Sequence, residues 1–297
     1  MKITFLGTAC MKPTAERNAT SILVNHKGEN ILIDCGEGTQ RQLKITGISP
    51  TKITKILISH WHADHVLGLP GLIATLGASE YSKTLEIYGP KGTKKYIKNL
   101  FSSFSLRANI KLEIKEVSKE GIFLETKDLE FLSTSLVHSC PTRGYVIKEK
   151  DKRKMKLSYL KKFGLTRDPL LGKLQQGKNI THKGHKILVK DATTLIPGKK
   201  LSIILDNTPT PKIAKFVKES DLLIMESSFG SELKAKAKEY KHSTAEQTAQ
   251  VAKKANVKKL VLTHISGRYK TPNKLLVEAK SIFKETKVAK DFMTISL

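Results

Sequence analysis

Residues 60–65 carry four side chains that can bind a metal ion: His60, His62, Asp64 and His65. His60 and His62 are two residues apart, so in an extended chain they point to the same side. Asp64 and His65 follow where the chain turns, so they can face a different centre. Imidazoles with a carboxylate suit a cation such as zinc. This one loop could therefore begin two metal sites.

The elements around this segment argue against a chance cluster of polar surface residues. Residues 56–59 form a short apolar run that predicts a buried strand. Open α/β folds place their chemistry at the carboxyl ends of strands. Other predicted strands, over residues 129–138, 201–206 and 259–263, end in or directly precede a further candidate ligand. Seven candidates therefore lie in four separate places, as two adjacent metal sites require: His60, His62, Asp64, His65, His138, Asp206 and His264.

The remaining pattern is rich in strands with interspersed helices, which predicts an α/β protein with two mixed sheets covered by helices. Asp34 follows a predicted strand, and we expect it to orient the histidine loop by hydrogen bonds rather than to bind metal. Residues 91–105 have helical spacing, with an apolar side that includes Phe104. His242 directly precedes a predicted helix, for which Ser243 and Glu246 fit a capping box.

The charge balance predicts a polyanionic partner. Lys and Arg number 53 against 27 Asp and Glu, for a formal net charge of +26. Such a field attracts nucleic acid first and an anionic membrane second; a lysine-rich proteome or a role in solubility is the alternative. Three widely spaced cysteines form no disulfide framework. With no signal peptide and no apolar run long enough to span a bilayer, we expect a cytoplasmic protein without a membrane association.

Much of this charge is concentrated in one segment. Residues 148–178 contain eleven Lys or Arg and three acidic residues, for a net +8. Glycines and a proline interrupt any long helix, and few apolar residues are present that could bury the segment. We therefore predict a basic arm over residues 149–185 rather than a domain. A solvated loop is the alternative, but long insertions in compact domains are more often functional.

Several motifs resemble a known family. Residues 59–65 (SHWHADH) resemble the H-x-H-x-D-H signature of the metallo-β-lactamase superfamily. Residues 34–42 (DCGEGTQRQ) and 262–269 (LTHISGRY) resemble segments of ribonuclease Z, the tRNA 3′-processing endonuclease family of that superfamily. Residues 226–227 and 242–244 match its later motifs. The resemblance implies one metallo-β-lactamase-like αββα domain over residues 1–297, with a tRNA-binding arm inserted at 149–185.

The resemblance also implies a two-zinc site in each subunit, although other divalent metals could replace zinc. His60, His62 and His138 would bind one ion, Asp64, His65 and His264 the other, and Asp206 would bridge them. Asp64 would also act as the general base. His242, held by Glu226, would stabilise the phosphate or protonate the leaving oxygen. Residues implied in substrate binding are Arg17, Asn18, Arg268 and basic residues of the arm that include Lys152, Arg153, Lys154 and Lys173.

The implied reaction is hydrolysis of precursor tRNA after the discriminator nucleotide, leaving a tRNA 3′-hydroxyl. The resemblance also implies that the enzyme is a homodimer.

In the loop over residues 13–18 the chain departs from the family at Ala15, where the family has lysine. Because that loop handles the 3′ end, discrimination against CCA-containing precursors stays open. Two alternatives remain at this point: a general phosphodiesterase or other hydrolase of the same fold, and an RNA-binding protein with a vestigial metal site.

Overall fold

The computed structural model describes residues 1–103, 105 and 110–297. These residues divide into two compact units. The main unit contains Met1–Leu124, Phe131–Ile147 and Lys200–Leu297, and the basic unit contains Glu125–Glu130 and Lys148–Lys199. Phe104, predicted on the apolar side of a helix, lies outside the described residues.

Runs of strands are interspersed with helices along the chain. The strands are β1 (Lys2–Gly7), β2 (Ala9–Cys10), β3 (Ser21–His26), β4 (Glu29–Ile33), β5 (Ile53–Leu57), β6 (Thr84–Gly89), β7 (Lys111–Glu116), β8 (Gly121–Glu125), β9 (Leu129–Leu136), β10 (Thr142–Glu149), β11 (Lys152–Met155), β12 (Ile180–His182), β13 (His185–Ile187), β14 (Thr193–Ile196), β15 (Lys200–Ile204), β16 (Leu222–Glu226), β17 (Leu260–Thr263), β18 (Ile265–Ser266), β19 (Thr286–Val288) and β20 (Thr294–Ser296). The helices are α1 (Thr39–Ile45), α2 (Ala63–Val66), α3 (Leu69–Ala78), α4 (Thr93–Ser102), α5 (Leu157–Lys161), α6 (Leu170–Gln175), α7 (Val189–Ala192), α8 (Pro211–Phe216), α9 (Lys234–Glu239), α10 (Ala245–Lys254) and α11 (Asn273–Ile282).

Two seven-stranded sheets organise the described part of the chain. The first has the strand order β20-β1-β3-β4-β5-β6-β7, and the second has the order β19-β17-β16-β15-β10-β9-β8. In the first sheet β4 to β7 are parallel while β1 pairs antiparallel with β3 and β20. In the second sheet β15, β16, β17 and β19 are parallel. The predicted mixed sheets are confirmed.

Helices cover one face of each sheet. Apolar side chains of α1, α3 and α4 join those of β4, β5 and β6 in one core cluster. A second cluster joins α8, α10 and α11 to β15, β16 and β17. Strands such as β5 and β16 are buried along most of their length, so their other faces are covered as well. The hydroxyl of Tyr145 on β10 donates to the carbonyl of Ile58 after β5 at 2.7 Å, which links the two sheets.

Two glycines allow the loop after β4 to approach the histidine loop closely. The backbone N–H of Cys35 donates to the carbonyl of His65 at 2.8 Å, and that of Gly68 donates to the carbonyl of Cys35 at 2.9 Å. A Cβ atom at Gly68 would collide with the carbonyl oxygen of Gly36, and one at Gly36 would collide with the carbonyl oxygen of Asp64. Only glycine therefore permits this contact.

Helix α10 begins one residue later than the sequence analysis predicts. Its N-cap is Thr244, whose side chain accepts from the backbone N–H of Gln247, and the Gln247 side chain accepts from the N–H of Thr244. The predicted capping box of Ser243 and Glu246 is therefore wrong. The Ser243 hydroxyl instead donates to the carbonyl of Asn207 at 3.1 Å.

The basic unit has an apolar core of its own, which the sequence analysis did not expect. Strand β11 pairs with β14, and β12 forms a hairpin with β13. The buried side chains come from short helices, strands and loops and are Leu160, Leu165, Leu174, Ile180, Ile187, Val189 and Ala192. Because these residues are spread over many short elements, no single helical or strand period marks them in the sequence.

Among the described residues, no helix is both long and apolar enough to cross a membrane.

Candidate metal centre

The predicted ligands meet within the main unit. His60 and His62 follow β5, and Asp64 and His65 lie on α2 directly afterwards. The others each follow a strand of the second sheet, namely His138 after β9, Asp206 after β15 and His264 after β17. The strand-end placement inferred from the sequence is therefore observed for all seven residues.

One group of ligand atoms is formed by His60, His62, His138 and Asp206, whose candidate ligand atoms all lie within 4.8 Å of one another. Nδ1 of His62 lies 3.0 Å from Nε2 of His60 and 3.2 Å from Nε2 of His138. Oδ2 of Asp206 lies 3.6 Å and 3.7 Å from the same two Nε2 atoms. Three imidazole nitrogens and a carboxylate oxygen thus face a common centre, which is a typical zinc donor set.

Asp64, His65 and His264 form the second group, again with candidate ligand atoms within 4.8 Å of one another. Oδ2 of Asp64 lies 3.4 Å from Nε2 of both histidines. Oδ1 of Asp206 lies 3.2 Å from Nε2 of His264 and 3.4 Å from Nε2 of His65. The two carboxylate oxygens of Asp206 therefore face different groups, as a bridging ligand requires.

Each histidine of the two groups has one ring nitrogen next to an oxygen atom outside the cluster. Such partners fix the orientation of the ring and the position of its proton, and leave the inner nitrogen free to bind a cation. The partners are Ser59 Oγ for Nδ1 of His60 (2.9 Å), Ser139 Oγ for Nε2 of His62 (3.1 Å), Asp34 Oδ2 for Nδ1 of His65 (2.6 Å), the Lys241 carbonyl for Nδ1 of His138 (3.0 Å) and Ser228 Oγ for Nδ1 of His264 (3.0 Å).

The hydrogen bonding of the buried Oδ1 atom of Asp206 also fits a bridging role. Within the described part of the chain, this atom accepts no hydrogen bond. A buried carboxylate oxygen without a donor is costly, and a cation would satisfy it. Together with the outward-held ring nitrogens, this shows that the residues present fit a pair of divalent cations.

The electrostatics around Asp206, His65 and His264 favour positive charge, whereas burial lowers the pKa values of His60, His62 and His138. Burial would raise the pKa of Asp206, but His264, His65 and His60 outweigh it and lower that pKa well below its usual range. Burial would lower the pKa values of His65 and His264, yet nearby carboxylates, Asp206 first among them, and for His264 also the thiol of Cys10, raise both well above their usual range. The same carboxylates would attract a metal cation.

His242 and Glu226 form a pair beside the cluster, as the sequence analysis predicted. Nδ1 of His242 lies 3.1 Å from each carboxylate oxygen of Glu226. Glu226 is completely buried and also accepts from the backbone N–H of Asn207 and the hydroxyl of Ser228, each at 2.6 Å. Burial lowers the pKa of His242, but Glu226 outweighs burial and raises it to about 9. The side-chain hydrogen bonds of His242 to described residues all involve Nδ1, which leaves Nε2 for substrate.

Asp34 has the supporting role that the sequence analysis expected. Its Oδ1 accepts from the backbone N–H of Ser59 at 2.6 Å and its Oδ2 accepts from the Ser59 hydroxyl at 2.6 Å. The same Oδ2 lies 2.6 Å from the ring of His65. One carboxylate therefore holds both the start and the end of the histidine loop. The roles of the serines Ser59, Ser139 and Ser228 were missed, although Ser59 and Ser139 are sequence neighbours of ligands.

A cleft of about 850 Å³ opens onto the cluster within the main unit. Arg268, predicted to bind substrate, is exposed and lines this cleft. Arg17 and Asn18 do not belong to its lining. The Arg17 guanidinium instead donates to Thr8 Oγ1 at 2.6 Å and to the carbonyl of Ala289 at 2.8 Å.

Asn18 is also engaged in internal hydrogen bonds. Its backbone N–H donates to Asp291 Oδ2 and its side-chain amide donates to the carbonyl of Glu37, each at 2.7 Å. Arg17 and Asn18 thus hold their loop in place, and their contact with substrate stays a prediction.

The predicted basic substrate-binding residues lie in the basic unit. Lys152, Lys154 and Lys173 are exposed, so their charges are open to solvent. Arg153 is half-buried on β11, where its guanidinium donates to Thr193 Oγ1 at 3.4 Å. The three lysines are therefore better placed than Arg153 to bind a polyanion.

Fold and site together define a hydrolase of the metallo-β-lactamase fold. A family model described as Anti-Pycsar protein Apyc1 matches residues 1–157. Ribonuclease Z of Archaeoglobus fulgidus is 38% identical over 301 residues, and that of Methanothermobacter thermautotrophicus is 36% identical over 299; both comparisons cover 100% of this chain and 97% of the relative. The chain belongs to the ribonuclease Z family.

Solved structures agree with this assignment. The short form of human tRNase Z is 27% identical and has a TM-score of 0.71, with 100% of this chain and 99% of the human chain covered. YhfI from Bacillus subtilis, a metallo-β-lactamase fold protein, has a TM-score of 0.72 at 18% identity, with 99% and 98% covered, which supports the fold alone. Fold and family both imply the use of divalent metal.

Proposed function

We propose that this protein is an endoribonuclease that removes the 3′ trailer of precursor tRNA. It hydrolyses the phosphodiester bond after the discriminator nucleotide and leaves a 3′-hydroxyl on the tRNA. The observation that carries the proposal is the bridging position of Asp206 between two histidine groups, in a chain related to ribonuclease Z over its whole length. The net charge of +26 fits an RNA substrate.

Two zinc ions would occupy the centre of each chain. His60, His62 and His138 would hold one ion, and Asp64, His65 and His264 the other, with Asp206 between them. A pair of divalent cations bound there would activate water and neutralise charge on the phosphate. The ring partners described above keep each histidine in the orientation that such binding needs.

Asp64 is the residue of this centre that we assign to proton transfer. Its Oδ2 accepts from the backbone N–H of Met11 at 2.9 Å, and the side chain also lines the cleft. Burial would raise the pKa of Asp64, but His65 and His264 outweigh it and lower the pKa below its usual range. The carboxylate is therefore ionised at neutral pH, as a residue that accepts a proton must be.

His242 is placed to act on the leaving side of the reaction. Because Glu226 holds its Nδ1 atom, the imidazole presents Nε2 and is favoured in its protonated form. A protonated imidazole in the cleft can stabilise the charge that develops on the phosphate oxygens or protonate the leaving oxygen. The buried carboxylate of Glu226 acts through His242 and needs no contact with substrate.

The basic unit would bind the body of the tRNA. Its exposed lysines Lys152, Lys154 and Lys173 lie in a unit that contains none of the seven metal ligands. We further propose that the protein acts as a homodimer in the cytoplasm, where one subunit's basic unit would hold a tRNA that the other cleaves. The three cysteines are free thiols, as a reducing compartment requires.

The test is to incubate the protein with one precursor tRNA and with a chromogenic phosphodiester, each with and without a chelator. We expect a single cut after the discriminator, a 3′-hydroxyl product, and loss of cleavage in chelator that zinc restores. Turnover of the small ester alone would identify a general phosphodiesterase. Binding of tRNA without cleavage at saturating zinc would identify an RNA-binding protein with a vestigial site.

A further inference from the structure

The cleft beside the metal centre contains two exposed, largely apolar side chains that no step of the proposed reaction uses. They are Met11, with 72% of its surface exposed, and Tyr240, with 49% exposed. Both line the cleft together with Asp64, Asp206 and His242. A cleft of about 850 Å³ is within the range of roughly 300–1,000 Å³ that ligand pockets occupy.

Tyr240 is held close to the reacting groups through its neighbours in the chain. It directly follows α9 and precedes Lys241, whose carbonyl lies 3.0 Å from Nδ1 of the ligand His138. The backbone N–H of His242 donates to the carbonyl of Ala237 at 2.8 Å, which ties the same turn to the helix. The position of the tyrosine is therefore fixed relative to a metal ligand and to the proposed acid.

The ring of Tyr240 is open for stacking. Phe229 also lines the cleft, but only 5% of its surface is exposed, so it belongs to the core. Met11 offers a further apolar surface in the same cleft, and its backbone is bonded to Asp64 at 2.9 Å. A flat apolar group next to the metal centre could therefore pack against Tyr240 and Met11, which would remove apolar surface from water.

The charges of the cleft indicate which flat group this is. Lys12, Lys241 and Arg268 are exposed and line the cleft, against one exposed acid outside the metal centre, Glu239. Cations beside an exposed aromatic ring are the combination that proteins use for single-stranded nucleic acid. The nucleotides on either side of the proposed cut are unpaired, so their bases are free to stack.

We infer that Tyr240 stacks on the unpaired base next to the scissile phosphate, while Lys12, Lys241 and Arg268 bind the adjoining phosphates. Tyr240 is thereby a positioning residue for the RNA. This inference rests on the proposed function, because it takes the substrate to be precursor tRNA cut after the discriminator.

The test combines changes in the protein with changes in the RNA. Tyr240→Ala and Tyr240→Phe are assayed on precursor tRNA and on two matched precursors that are abasic, one at the discriminator and one at the first trailer nucleotide. Both kcat/KM and the Kd with the RNA are measured. Tyr96→Ala is the control, because Tyr96 is 43% exposed but lies outside the cleft lining.

We expect Tyr240→Ala to lower kcat/KM on intact precursor by roughly 5- to 150-fold, the effect of losing one stacked base, with Tyr240→Phe close to wild type. One abasic precursor should show a similar loss with wild-type protein, and Tyr240→Ala should lose nothing further on it. Tyr96→Ala should respond to the abasic site as wild type does.

Losses that multiply, or a wild-type rate for Tyr240→Ala, would overturn the stacking role while leaving the proposed function intact. Failure of wild-type protein to cut any precursor would instead overturn the proposed function. In that case the Kd values test the inference. Equal affinity of wild type and Tyr240→Ala for the intact RNA would contradict it. A weaker affinity of Tyr240→Ala for the intact RNA, with no difference between the two proteins on one abasic RNA, would support it.

Discussion

Oδ2 of Asp34 lies 2.6 Å from Nδ1 of His65, and both side chains are completely buried. The same carboxylate accepts two hydrogen bonds from Ser59, which precedes His60. Asp34 is held at the end of β4 with a positive φ of 55°, a conformation that Asp and Asn adopt more readily than most residues. The geometry of the histidine loop therefore depends on a residue that is not one of the seven predicted ligands.

Replacing Asp34 by asparagine should weaken metal binding without removing a ligand. Asparagine tolerates the backbone conformation, but only its amide oxygen can accept hydrogen bonds. It therefore cannot replace both carboxylate oxygens that accept from Ser59 and contact His65. We expect a zinc affinity lower by about 10- to 100-fold, measured by competition with a chromophoric chelator. Glu29→Gln, at the start of the same strand, is the control and should bind zinc like wild type. Equal affinities for both variants would contradict the assigned role.

Asp64→Ala should separate catalysis from binding. Removing the proposed base should lower kcat on precursor tRNA by roughly 10²- to 10⁴-fold. Because the exposed lysines of the basic unit are untouched, the Kd for precursor tRNA should stay within about threefold of wild type. Single-turnover cleavage and a filter-binding assay give the two values. Cleavage by the variant at the wild-type rate would rule out the mechanism.

Glu226 and His242 should behave as one functional pair. Glu226→Gln keeps the side-chain shape but removes the charge that favours protonated His242, so kcat should fall while KM changes little. If Glu226 acts only through the imidazole, the double variant Glu226→Gln, His242→Ala should be no slower than His242→Ala alone. Additive losses in this cycle would show that Glu226 has a separate role.

The basic unit should control affinity for tRNA and its dependence on salt. Changing Lys152, Lys154 and Lys173 together to alanine should raise the Kd for tRNA and reduce the slope of log K against log salt by up to about three, roughly one for each phosphate that a lysine no longer neutralises. A matched variant that removes three exposed lysines elsewhere, Lys280, Lys284 and Lys287, has the same reduction in charge. If both triple variants bind equally, affinity depends on net charge and not on the basic unit.

Gly68→Ala should destabilise the fold beneath the metal centre. Its Cβ atom would press on the carbonyl oxygen of Gly36, so the free energy of unfolding should fall by about 1–3 kcal/mol. Gly172 on α6 has open space around its Cα and no strained φ, so Gly172→Ala should be neutral or stabilising. Thermal unfolding of both variants tests the contrast. An unchanged midpoint for Gly68→Ala would show that the loops can separate without cost.

The seven candidate ligands could be collected from the sequence because each lies at or shortly after an apolar strand, whereas their division between two ions came from the resemblance to the family. Their partners were harder to find. Ser228 and the Lys241 carbonyl are paired with histidines that are far away in the sequence, and hydroxyl or carbonyl groups carry no distinctive pattern. The bridging geometry of Asp206 likewise needs strands from both sheets to be in place.

Two further features could not be predicted from the sequence, for different reasons. The N-cap of α10 is Thr244 because Ser243 is already bonded to Asn207, a tertiary contact that a local motif cannot register. Tyr240 follows a short, lysine-rich helix and carries no sign of the cleft that it lines. Its role becomes visible only when His138 and His242 are brought beside it.

Anomalous diffraction at the zinc absorption edge would show whether Asp206 lies between two metal ions. Crystals grown with zinc should show one peak among His60, His62 and His138 and a second among Asp64, His65 and His264, with a carboxylate oxygen of Asp206 next to each. An Asp206 carboxylate that contacts no ion, with zinc bound elsewhere in the molecule, would rule out a bridging role for Asp206.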